Sequence, residues 1–449
     1  MTSIMRKFYL CLFVLLILPL SMYAQDGFGF GDDNFGFSSA PSPSFRVNIN
    51  GEVSAELTSY LDDFYSGERL RQSSLGDIFS GSLNFEASGS AAQAVINLDL
   101  SGSNRAEGPV EINEAYLRAF FGPVTVEGGI RRISWGRADS FGPLDIVNPL
   151  DLSDLSRLSN PKSVKISRPM IRFIWNLGSF TRLEGVFLPA FQADRYAITG
   201  RWAPSQIRAL GQIPGFDQDK LDNLYWDSNN TLEYAQGGLR FTTTINSLDL
   251  GFQYYSGRYT RPAMIFLLDI TIPSYVPDRI AYNHYHHIGF DLAMVLGGFN
   301  LRGEFGANLS SDMDGRDGTV ENPSLVWSLG FDRDLFWDIN LNLQGSGSLM
   351  LFHDRIGDQF TDIESGRNLS SSRITGIISR TFLRDELDVK LTGLWGIEDK
   401  DFLVMPSISW SRNDAAIELA MGFFAGNREG ELGQYRSNNF IRTTLSYRF

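Results

Sequence analysis

Three of the four histidines in this sequence fall together, as His284, His286 and His287. Two histidines spaced two apart on a strand share a face, the placement from which imidazoles bind a metal. No carboxylate partner is evident beside them, so they read as polar or interfacial side chains and no metal is expected. A second set of candidate ligands is the run DMDGRDGTVE, with Asp312, Asp314, Asp317 and Glu321. Its spacing departs from a calcium loop, because Arg316 stands where the fifth-position ligand belongs. A solvated acidic turn accounts for it. Neither a nucleophile elbow, nor a Walker loop, nor an H-E-x-x-H helix occurs in the chain, so no enzymatic reaction and no cofactor are expected.

The third set is the richest. Residues 135–162 read WGRADSFGPLDIVNPLDLSDLSRLSNPK, in which Arg137, Asp139, Asp145, Asp151 and Asp154 alternate with Phe141, Leu144, Ile146, Val147, Leu150, Leu152 and Leu155. Such apolar residues need burial that an exposed loop does not give. Opposite charges carried into an interior set a local field over any solute passing through it. With Arg131 just upstream, Arg131, Arg137, Asp139, Asp145, Asp151 and Asp154 form a candidate pore constriction.

The surrounding sequence supplies the elements to hold it. Aromatics make up 13% of the 449 residues, and 44 glycines accompany many serines, threonines and asparagines, which favours strands and turns over helices. Fifty-two acidic against 39 basic residues give a net charge of −13, which argues against a nucleic-acid partner. Arg6 and Lys7, the apolar run Phe8 to Leu18 and the small residues up to Ala24 have the plan of a cleaved signal peptide over residues 1–24, with Met22 as its one departure. Cleavage removes Cys11, the single cysteine, and with it any thiol chemistry. The Gly/Phe-rich and Pro/Ser-rich stretch 25–45 lacks any packing period and reads as a flexible periplasmic tail.

From residue 46 to residue 449 the pattern has period two. Leu341, Leu343, Leu349 and Leu351 share one face of a strand while Asn340, Asn342, Gln344, Ser346 and Ser348 share the other, and Val47, Ile49, Val53 and Leu57 alternate with Asn48, Asn50, Glu52 and Glu56. Segments of about 10 residues or more suit tilted strands that cross a bilayer. Aromatics at segment ends, among them Phe120 with Phe121, Tyr254 with Tyr255 and Phe423 with Phe424, suit interfacial girdles. Connections alternate between tight turns, such as Gly122-Pro123 and Gly297-Gly298, and long loops. The fold class predicted is therefore all-β: a transmembrane antiparallel up-and-down barrel of about 18 strands, with 16 as the alternative count, bearing long external loops. The last strand ends on Tyr447 and Phe449, which resembles the signal read by the outer-membrane insertion machinery.

The W-G pair Trp135-Gly136 followed by N-P-x-D at Asn148-Pro149-Leu150-Asp151 resembles a family of outer-membrane barrels known only as a domain of unknown function. The resemblance covers about forty residues and implies location more than activity. The expected protein is an outer-membrane channel of a diderm bacterium, passing small hydrophilic solutes by passive diffusion, with a third external loop narrowing the lumen. The excess of inward acids over Arg131, Arg302 and Lys390 implies a weak cation preference. Its partners are outer-membrane lipid, the insertion machinery, the solutes and, through an apolar wall, further copies of itself. The alternatives are an export or envelope-assembly barrel and a surface adhesin.

Overall fold

The computed structural model describes residues 45–62, 78–101, 110–159, 163–210, 231–269, 274–357 and 361–449. The leader and nearly all of the tail expected from the sequence lie outside these residues.

Eighteen strands form the wall. They are β1 (Arg46–Tyr60), β2 (Phe79–Ser88), β3 (Ala92–Ser101), β4 (Val110–Phe121), β5 (Val124–Arg131), β6 (Arg168–Asn176), β7 (Thr181–Leu188), β8 (Gln236–Ile245) and β9 (Leu248–Arg258). The second half comprises β10 (His284–Leu296), β11 (Phe299–Ser310), β12 (Ser324–Asp334), β13 (Asn340–Met350), β14 (Ser370–Phe382), β15 (Leu387–Gly396), β16 (Asp401–Arg412), β17 (Ala415–Gly426) and β18 (Phe440–Arg448). Each strand pairs antiparallel with its chain neighbour, and β18 returns to β1 with Tyr447 opposite Val53 and Arg448 opposite Glu52. Closure leaves no free edge, so the backbone bonds of the wall are met within the wall, as a lipid environment demands.

Alternation sets the two faces. Ile49, Val53, Leu57, Phe252, Ile288, Phe305 and Leu343 are exposed on the outside, whereas Glu127, Glu184, Asp291 and Glu304 are almost wholly buried inside. This is an inverted soluble protein, apolar outward and polar inward. The same rule corrects the girdle reading at two pairs. Tyr254 and Phe423 face outward, but their neighbours Tyr255 and Phe424 are 1% and 2% exposed and belong to interior clusters. Adjacent residues of a strand cannot share a face. The tight link after β12 holds a single turn at Phe336–Asp338, with Trp337 and Asp338 at positive φ.

The tight links, 89–91, 122–123, 177–180, 246–247, 297–298, 335–339, 383–386 and 413–414, all gather at one end of the barrel. The opposite end carries mostly longer connections, with the four-residue link 397–400 as the exception. L3 spans 132–167, L4 189–235 and L5 259–283, the last containing a hairpin of Ala263–Asp269 with Ser274–Ala281. L6 spans 311–323, L7 351–369, L8 397–400 and L9 427–439.

Candidate functional site

L3 leaves β5 and turns against the inner wall. Trp135, 2% exposed, packs with Ile133, Val147, Met170, Val186, Tyr255 and Tyr285, and its indole N–H donates to Glu184 on β7 at 3.0 Å. A tryptophan buried on one side with its single donor satisfied is a strong anchor. Gly136 follows at φ +85°, a region that glycine enters without strain.

Directly beyond it the loop reaches β11. The Glu304 carboxylate, 1% exposed, accepts the backbone N–H of Arg137, of Ala138 at 2.7 Å and of Leu144 at 3.4 Å. One buried carboxylate thus ties both ends of the segment 137–144. Arg137 then donates to Asp291 at 2.7 Å and to Asp249 at 3.2 Å, and Arg240 donates to Asp291 from the other side at 2.6 Å. Gln253 returns a bond to the carbonyl of Leu144 at 2.8 Å. On β13, Gln344 accepts the N–H of Asp139 and of Ser140 at 3.0 and 3.2 Å, while the Asp139 carboxylate receives Arg302 and, at 2.7 Å, Asn342. Five strands, β7, β9, β10, β11 and β13, therefore contribute polar side chains to one loop segment, and Arg240 of β8 braces Asp291 behind them.

The second half of L3 contacts the other side of the barrel. Leu155 and Leu158 pack with Trp202 of L4, Leu394 of β15, Leu403 and Met405 of β16, Phe424 of β17 and Phe440 of β18. Arg157 pairs with Glu56 of β1 at 3.5 Å. Between the two halves runs the stem made by the N-P-x-D residues. Asn148 receives the N–H of Ile133 at 2.9 Å and donates to the carbonyls of Arg131 and Ile166 at 3.1 and 2.8 Å. Pro149 accepts from Ile166, and Asp151 N–H donates to Val164. Asn148→Ala is expected to expose L3 to limited proteolysis, because three backbone groups lose buried partners at about 1–3 kcal/mol each. A digestion pattern identical to that of the parent would count against this role.

The six residues singled out from the sequence separate into two groups. Arg137 and Asp139 meet the inner wall of β9 to β13, as described. The other four serve their immediate surroundings. Arg131 pairs with Glu127 and stands 4.2 Å over the Tyr116 ring. Asp145 pairs with Lys165, and burial pushes its carboxyl above the usual range. Asp151 meets Arg195 of L4 at 3.2 Å. Asp154 caps the turn Leu155–Arg157 by accepting Ser156 N–H at 2.9 Å.

Sequence reasoning missed Glu304, Asp291, Gln253 and Gln344 as loop partners, and Arg240 as the residue that braces Asp291 and Gln253. The available signal was their position on the wet face of a strand, which many residues share. The inward basic set is also larger than Arg131, Arg302 and Lys390. Arg118 and Arg172 pair with Glu127, and Arg172 and Arg182 with Glu184, on the wall of β4 to β7.

His284 and His286 share a face, with ring centroids 4.8 Å apart, but the third histidine does not join them. His286 meets Tyr254 at 2.8 Å and His284 meets Ser256 at 3.1 Å, while His287 points the opposite way, fully buried, with Nδ1 2.7 Å from Asn308. The acidic turn is occupied by its own backbone, with Asp312 accepting Asp317 N–H at 2.7 Å and Asp317 accepting Thr319 N–H at 3.0 Å.

No protein-family model matches the chain, and no curated protein sequence does. Solved structures do match. OccK3 (OpdO) of Pseudomonas aeruginosa is 8% identical with a TM-score of 0.50, over 90% of this chain and 95% of that one. The fold is that of a porin-like outer-membrane barrel. The P. aeruginosa outer membrane protein OpdK is 8% identical with a TM-score of 0.49, over 90% and 99% of the two chains. Wzi, described as a carbohydrate-binding barrel involved in capsule assembly in Escherichia coli, is 11% identical with a TM-score of 0.46, over 89% and 84%. At these identities the likeness is one of fold.

Proposed function

We propose that the protein is an outer-membrane channel through which small hydrophilic solutes diffuse passively, with L3 as its constriction. The observation that carries this reading is the attachment of residues 135–144 to inward side chains of β7 through β13. A loop held at so many points across a polar lumen narrows it and keeps its charges in fixed places. No covalent step is needed. Passage follows the gradient, and the field of Arg137, Asp139 and the acids around them biases which solutes enter. The remaining four constriction candidates would act by shaping the loop that carries these two. A weak cation preference is the selectivity proposed, moderated by the arginines of β4 to β7.

The wider assignment follows from the barrel. Export through a cleaved leader at 1–24, recognition of Tyr447 and Phe449 by the insertion machinery, residence in outer-membrane lipid and association of copies through the apolar wall belong to this proposal. So does membership in the W-G and N-P-x-D barrels. Its support here is that both motifs are used structurally: Trp135 and Gly136 seat the loop tip, and Asn148 to Asp151 form its stem.

Single-channel recording on residues 25–449 in planar bilayers tests the channel, once heat-dependent gel mobility shows a folded barrel. Stable ohmic openings are expected. Arg137→Gln should shift the reversal potential toward cations in a salt gradient, and Asp139→Asn toward anions. Unchanged values for both, or for Arg137→Gln together with Asp151→Asn, would count against L3 as the filter. A folded barrel that never conducts would favour export, envelope assembly or adhesion.

A further inference from the structure

A cavity of about 280 Å³ lies between the tip of L3 and the inner wall of β13 to β16, below L8 and L9. At about 30 Å³ for each water in the liquid it holds on the order of nine waters. That suits one sugar ring and is small for an oligomer. We propose that this cavity binds a hexose-sized polyhydroxylated solute, one that is neutral or carries an amine. The proposal rests on the reading of the lumen as a solute path and names the class of solute.

The lining supplies the chemistry. Phe141 forms an apolar plate from the loop side, held by packing against the cluster around Leu155 and Leu403. Ser346 and Ser348 lie on the same strand face, and among the described residues their hydroxyls carry no hydrogen bond. Arg373 stands opposite Ser346 in the register. It gives one Nη to Glu431 at 2.5 Å, while its Nε is buried with no partner among the described residues. The Arg373 side chain is 27% exposed, so the rest of its guanidinium is open to an occupant that accepts from it.

Acceptors face these donors. Asp401, 1% exposed, receives the N–H of Leu432 and Gly433 at 2.6 and 3.0 Å through Oδ2 alone. Asp399 receives Glu431 N–H at 3.3 Å, also through Oδ2 alone. Asp399, part-exposed, leaves its Oδ1 for a ligand hydroxyl, while buried Asp401 adds negative charge behind it. Vicinal hydroxyls both donate and accept, so they match a wall of hydroxyls, one guanidinium and carboxylate oxygens, and the C–H face of a sugar ring suits an aromatic plate. Against the single positive charge of Arg373 stand Glu398, Asp399, Asp401 and Glu431, so an added amine helps and an added carboxylate hinders.

The test uses the full barrel in detergent with glucose, glucosamine and glucuronate as probes, read by saturation-transfer NMR and, separately, by sugar-dependent block of single-channel current. Saturable binding of glucose and glucosamine is expected, with glucuronate weaker. Arg373→Ala should weaken binding about tenfold, the loss of one charge-assisted bond, and Ser348→Ala severalfold, with gel mobility unchanged in both. Absence of saturable binding, binding unaltered in both variants, or glucuronate binding as tightly as glucosamine would overturn the site. The two readings fail separately. A conducting barrel that ignores all three sugars refutes the cavity and leaves the channel, whereas sugar binding to a barrel that never conducts refutes the channel and leaves the cavity.

Discussion

Glu304→Ala is expected to raise single-channel conductance severalfold and to replace steady openings with rapid fluctuation. In the parent, this carboxylate closes the segment 137–144 onto β11 through three backbone N–H groups, two of them at the start of the segment and one at its end. Hydrogen bonds to a charged group contribute about 1.5–3 kcal/mol each, so their joint loss exceeds what the neighbouring contacts of the tip can offset. Arg137 and Gln344 would still hold parts of the tip, which is why fluctuation and not a fixed wide pore is expected. Glu304→Gln keeps one acceptor oxygen and should fall between parent and alanine. The outer wall is untouched, so heat-dependent gel mobility should remain that of a folded barrel. Conductance equal to the parent's in both variants would show that L3 does not limit the current.

The two faces of the wall were legible in the sequence because period-two alternation is written locally: Leu343 and Gln344 announce their sides by type alone. The alternation of tight and long connections was legible for the same reason, since Gly122-Pro123 and Gly297-Gly298 are turn chemistry at the residue level. The loop was partly legible. Its apolar residues required a buried surface, and Leu144, Val147, Leu155 and Leu158 find one. What the sequence could not give is pairing across the lumen. Arg137 meets Asp291 over a separation of 154 residues, and nothing local distinguishes Asp291 from Asp388 or Glu418 as its partner. Barrel curvature decides that, through the number of strands and their stagger. The roles of Asp151 and Asp154 escaped for the opposite reason. A carboxylate that caps a turn and one that lines a pore have the same local appearance, and only the backbone conformation tells them apart.

The second large effect is expected at a glycine. A Cβ on Gly136 would sit 2.3 Å from Glu304 Oε1 and 3.0 Å from its Cδ, at φ +85°. The clash is with the tip of a side chain, which ordinarily moves aside at little cost. Here the tip is fixed by the same three N–H groups, so yielding means giving up the loop. The backbone adds about 1–2 kcal/mol of its own for a non-glycine residue at positive φ. Gly136→Ala should therefore reproduce most of the conductance change of Glu304→Ala. Gly128→Ala, where a Cβ meets nothing within 4 Å, should be silent. The decisive comparison is the double variant. If Gly136 acts by displacing Glu304, its alanine should add little once Glu304 is gone, beyond the backbone strain, and the two effects should be far from additive. Additive effects would mean that Gly136 and Glu304 hold the loop independently, and the carboxylate would lose its place as the point through which the tip is fastened.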